Sequence, residues 1–114
     1  MSLNTFLQSL RDTPEQIEFA QTIAAIESHY KYTPTAFRNG EVENAAGQNG
    51  GSCKIFAFAK LQNLDQQETL ACFGRYYRDD VRKNPDANDH QNIRTFMRTG
   101  WSGIAFEGEA LSVR

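Results

Sequence analysis

A chain of 114 residues, 39% of them hydrophobic and 11% aromatic, has the length of one domain and enough apolar material for a core, which excludes a disordered polymer and leaves no room for a second domain. Its net charge is −2, with Lys and Arg spread among Asp and Glu, so the basic footprint of nucleic-acid or membrane-surface binding is missing and neither is an expected partner. The longest near-continuous apolar run, Ile55 to Ala59, falls far short of the ~20 residues of a membrane helix.

Leu3, Phe6, Leu7 and Leu10 recur at the three-and-four spacing of one helical face and predict a short first helix. Thr13, Pro14 and Gln16 combine a cap, a first-turn proline and a capping-box partner, so a second helix is expected to start there, with Phe19, Ile23, Ile26 and Tyr30 inward and an end near Lys31, ahead of Pro34. Tyr32, Phe37 and Val42 lie in extended stretches around Asn39-Gly40, the pair that suits a type I′ turn, which predicts a hairpin within 32–44. From Ser52 the sequence is apolar on nearly every side of a helical wheel, the mark of a central, surrounded helix capped by Ser52. Asp65 to Glu68 forms a second capping-box pattern, and Leu70, Phe73, Tyr77 and Val81 predict a helix running to about Lys83. On its outer face Arg75–Asp79 and Asp79–Lys83 are spaced as ion pairs. After the Asn84-Pro85 stop, Asn88 or Asp89 caps a last helix with Ile93, Phe96 and Met97 inward, closed by Gly100. A strand near 103–107 is expected beside the hairpin. The fold class is therefore α+β: one compact domain spanning 1–114, mostly helical, with a small antiparallel sheet.

Between Asn39 and Lys54, four asparagine or glutamine amides and four glycines precede Ser52-Cys53. Glycine permits backbone angles and approaches closed to other residues, and a cysteine in the first turn of a helix faces free N–H groups that favour thiolate. Further residues join that loop in a larger pattern: Asn44, Ala46-Gly47, Gly51-Ser52-Cys53-Lys54, Cys72-Phe73-Gly74, Tyr76-Tyr77-Arg78, Asp89-His90, Asn92-Ile93-Arg94 and Gly100-Trp101. Together they resemble the HopJ type III effector family over nearly the whole chain. The resemblance implies a bacterial protein grouped with virulence factors delivered into host cells by type III secretion. It supplies no catalytic residues.

Cysteine catalysis is the sharpest chemical reading of the loop. Gly51-Ser52-Cys53 partly resembles the approach to the nucleophile in papain-like enzymes, with His90 as the base and Asp89 or Asn92 orienting its ring. The alternative is that Cys53 and Cys72 pack in the core and His90 bonds only its neighbours. The second reading is a polar or anionic ligand held by Asn44, Gly47, Asn49, Gly51, Ser52 and Lys54, since this glycine-rich segment leads into a helix N-terminus, although its spacing is not that of a P-loop. His29, late in the second helix, reads as a surface residue. Two Cys and two His at scattered positions make no metal site, and no cofactor motif appears. With two cysteines, no disulfide framework and no basic-then-apolar leader, the expected setting is the reducing cytoplasm, with secretion into host cells if the family role holds. Two classes of function stand: a module binding a protein partner or a small polar ligand, and a small cysteine-dependent hydrolase or transferase.

Overall fold

A computed structural model describes residues 2–114. The first helix, α1 (Leu3–Asp12), is capped by the Ser2 hydroxyl and buries Phe6, Leu7 and Leu10. Pro14–Gln16 forms only a 3₁₀ turn, not the start of the second helix. Ile17, buried in extended backbone, interrupts the spiral, and α2 (Phe19–His29) opens two residues later with a reciprocal capping box between Glu18 and Gln21.

Strand β1 (Tyr30–Tyr32) follows directly and pairs antiparallel with β5 (Leu111–Val113). Tyr32 thus leaves the expected hairpin for a second sheet, whose far strand is too short and too distant in sequence to announce itself. The hairpin itself is β2 (Phe37–Asn39) and β3 (Val42–Asn44), and β4 (Ile104–Phe106) pairs with the other side of β2. In its two-residue turn Gly40 takes φ +57° while Glu41 stays out of the left-handed region, the pattern of a II′ turn rather than the I′ turn expected.

The centre of the molecule is α3 (Gly50–Leu61), in which Cys53 and the whole run Ile55 to Ala59 are buried. The Phe56 ring packs against Phe37, Phe73 and Phe96 at centroid distances of 6.0, 5.5 and 5.0 Å. Phe58 meets Phe6 and Tyr30 edge-on. Helix α4 (Gln66–Ala71) has the expected capping box at Asp65 and Glu68 but stops after six residues instead of running to Lys83. Gly74 is the reason: its φ is +62°, and a Cβ there would lie 2.5 Å from the Phe19 backbone nitrogen, so the chain turns tightly under the start of α2.

Beyond the turn, Tyr76–Val81 is a π-helix, with the Arg82 N–H donating to the Tyr77 carbonyl at 3.0 Å. Leu70, Phe73 and Val81 still face inward. Arg75 pairs with Glu18 at 3.1 Å rather than with Asp79, whereas Asp79–Lys83 forms as spaced. Helix α5 (Gln91–Thr99) buries Ile93 and Phe96, leaves Met97 exposed and ends at Gly100. The result is an α+β globule with α3 at its core and two small antiparallel sheets.

Candidate active site at two helix N-termini

Helices α3 and α5 begin on the same cleft, of about 350 Å³. Asn49, Gly51 and Ser52 line it from the first, His90, Gln91 and Asn92 from the second, and Phe19, Val42, Phe73, Tyr76 and Ile93 give it apolar walls. Both helices open from a non-glycine residue in the left-handed region: Asn49 at φ 52° and His90 at φ 51°. Neither side chain turns back to cap its own helix. First-turn N–H groups therefore lack the usual side-chain acceptor and are left to whatever occupies the cleft. At Gly51 the missing side chain matters, because a Cβ would sit 2.8 Å from the Phe19 ring that closes over the start of α3.

Behind the cleft lies a knot of amides. Asn44 and Asn92 exchange hydrogen bonds at 3.2 and 3.0 Å, and Asn39 donates to the Asn92 side-chain and backbone oxygens at 3.0 and 2.8 Å. Asn49 reaches in from the rim to donate to the Asn44 oxygen at 2.6 Å. This network holds the hairpin, the start of α3 and the start of α5 in fixed relation. Asn39 is fully buried, and its Oδ1 has no partner among the described residues.

His90 is tied to the π-helix. Its Nε2 lies 3.0 Å from the Asp80 carboxylate, and its ring stacks at a tilt on Tyr76 with centroids 5.2 Å apart. Asp89, expected to orient it, stands at 3.9 Å and is held by Arg94 at 2.6 Å, a hydrogen bond that keeps the Asp89 carboxyl below its ordinary range. Asp80 carried no signal in the sequence, because a regular α-helix was expected there and the wider π turn changes which residues share a face.

Cys53 faces elsewhere. One helical step past Ser52, its thiol points inward, donates to the Thr35 carbonyl at 3.5 Å and lies against the buried hydroxyl of Tyr32. Burial pushes the thiol up, outweighing the lowering by Tyr32, Thr35 and Lys54, so the expected thiolate is not favoured. The partners of Cys53 are thus Thr35 and Tyr32, those of His90 are Asp80 and Tyr76, and the expected Cys53–His90 contact does not form. Lys54 turns to Glu27 at 3.0 Å and the face of Tyr32 at 4.8 Å, away from the cleft.

Of the proposed ligand set, then, Asn49, Gly51 and Ser52 line the cleft with His90 and Asn92. Asn44 supports it from behind, whereas Gly47 sits in an open turn at φ +86°. Cys72 packs in the core with its thiol also raised by burial. His29, expected at the surface, is half-buried, with its Nε2 unpartnered among the described residues.

The model of the family described as HopJ type III effector protein matches residues 3–111. The chain belongs to the HopJ family. The fold of this HopJ chain is similar to a crystal structure of a protein of unknown function, VPA0580, at 57% identity and a TM-score of 0.99, covering 100% of this chain and 95% of that one. Comparison with curated proteins gives no match. Among the described residues, no helix of this HopJ protein is long and apolar enough to cross a membrane.

Proposed function

We propose that this HopJ-family protein is a binding module that takes a small polar, anionic ligand in the cleft between α3 and α5. The carrying observation is the convergence of two helix N-termini, each opened by an uncapped left-handed residue, on one cavity of about 350 Å³. Free first-turn N–H groups and the positive ends of two helix dipoles favour negative charge, and the Ser52 hydroxyl adds a donor. No carboxylate lines the cleft among the described residues, and the two beside His90 are engaged, Asp80 with His90 and Asp89 with Arg94. The apolar walls fit a ligand whose anionic group is carried on a short hydrocarbon or ring body.

Titration of isotopically labelled protein with inorganic phosphate, followed by amide chemical shifts, tests the reading. Saturable shifts at Gly50, Gly51, Ser52, Gln91 and Asn92 are expected. Shifts confined to exposed Lys and Arg, or none, would sink it. The family description adds an expectation about place, delivery into a host cell, which a translocation reporter fused to the chain checks separately.

A further inference from the structure

Resting on the reading of the cleft as a ligand site, we propose that it also performs chemistry: His90, oriented by Asp80, acts as general base on the Ser52 hydroxyl, and the substrate is a small carboxylic ester. The groups such a reaction needs line one cavity; Ser52 and His90 are not hydrogen-bonded to each other in this structure, so the proton transfer requires the two to close up around a bound substrate. Ser52 and His90 line the same cavity, and among the described residues the Ser52 Oγ has no hydrogen-bond partner. The Asp80 carboxylate, 3.0 Å from His90 Nε2, can only accept, so the tautomer that bonds to it carries its proton on Nε2 and leaves Nδ1, without a partner among the described residues, as the basic nitrogen. The backbone N–H groups of Gly51 and Ser52, in the uncapped first turn of α3, supply donors for the oxyanion of an attacked carbonyl. Tyr76 and Asp80 come from a π-helix and His90 from a left-handed position, two uncommon backbone states that together hold the imidazole at the cleft.

In the step itself, the Ser52 Oγ–H proton passes to His90 Nδ1 as Oγ bonds to the acyl carbon. The ester C–O bond then breaks, and the departing alkoxide takes the proton from His90. Water repeats the sequence: it gives a proton to His90, attacks the acyl carbon and releases Ser52, which recovers the proton. Ester and water become acid and alcohol, with no oxidant or reductant. Asp80 touches neither substrate nor reacting atoms and is a positioning residue.

Release of p-nitrophenolate from p-nitrophenyl acetate and butyrate by the full chain tests the proposal. The expected result is a rate about 100-fold or more above buffer, with general-base behaviour in its pH profile. Ser52→Ala and His90→Gln should fall to the buffer rate, and intact-mass analysis should find an acetyl group on Ser52. Asp80→Asn should lower kcat with KM little changed and displace the pH profile, an effect that loss of structure alone does not produce. A rate equal to buffer, or one untouched by Ser52→Ala, overturns the proposal. Thermal unfolding of each variant guards against misfolding, and if His90→Gln fails to fold, the half-buried Ser52→Ala decides. Phosphate-induced shifts with no hydrolysis overturn the catalytic inference and leave the binding reading standing, whereas Ser52-dependent hydrolysis with no phosphate shifts does the reverse.

Discussion

The body of α3 and its N-terminal rim are one helix held by different physics. The body is specified by burial: Phe56 and Phe58 are fully enclosed, and their neighbours come from α1, β1, β2, α5 and the turn after α4. The rim is specified by backbone angles and amide geometry, with Asn49 left-handed, Gly51 bare beneath Phe19 and an asparagine network behind. The core half of the helix is built to exclude everything. The rim leaves first-turn N–H groups without a side-chain cap among the described residues, and on those groups the proposed ligand site rests.

The largest loss is expected in the core. Phe56→Ala removes a ring that touches three others and should destabilise by about 3–5 kcal/mol, read from urea or guanidinium melts. A loss below about 1 kcal/mol would mean that α3 is not the structural centre. At the rim a smaller loss is expected. Asn92→Ala deletes the acceptor that serves Asn39 and Asn44 and the donor to Asn44, leaving buried amides unpaired at about 1–3 kcal/mol. The same variant should shift the amide resonances of Gly51 and Ser52, because the network reaches them through Asn49. A melt unchanged from the parent protein would show that the network is replaceable by water.

That division also marks what could be read in the sequence. Periodicity and apolar runs identified α1, the body of α3 and the inward face of Leu70, Phe73 and Val81, because burial writes itself at fixed spacings. Turn chemistry found the hairpin at Asn39-Gly40 and the box at Asp65 to Glu68. The break at Gly74 was not legible, since the need for φ +62° comes from Phe19, fifty-five positions earlier. Nor was the His90–Asp80 contact, which depends on a π-helix where α-helical spacing was assumed. At the start of α3 the loop's composition pointed to Cys53 without telling which side chain faces out: Ser52 lines the cleft and Cys53 lies behind it. Strand β5 has three residues and a partner about eighty positions away, so local signals could not reveal it.

The smallest expected effect sharpens that last contrast between two adjacent residues. Burial raises the Cys53 thiol above its ordinary value, and it raises Cys72 as well. In the unfolded chain both ionise near the usual ~8.5, while in the native protein they remain protonated to higher pH. Between those limits the native state holds more protons than the unfolded state, so stability falls as pH rises. Below the unfolded value the contribution is constant and fully present. Denaturant melts from pH 7 to just under 10, before tyrosine ionisation enters, should therefore show a declining stability that Cys53→Ala makes shallower. Alkylation of the native protein with iodoacetamide should be slow at neutral pH at both cysteines, since Cys53 has 1% of its surface exposed and Cys72 none. Rapid labelling of Cys53 at pH 7, persisting below the ordinary thiol range, would instead restore a reactive thiolate at the start of α3 and move the proposed chemistry of the rim from Ser52 to its neighbour.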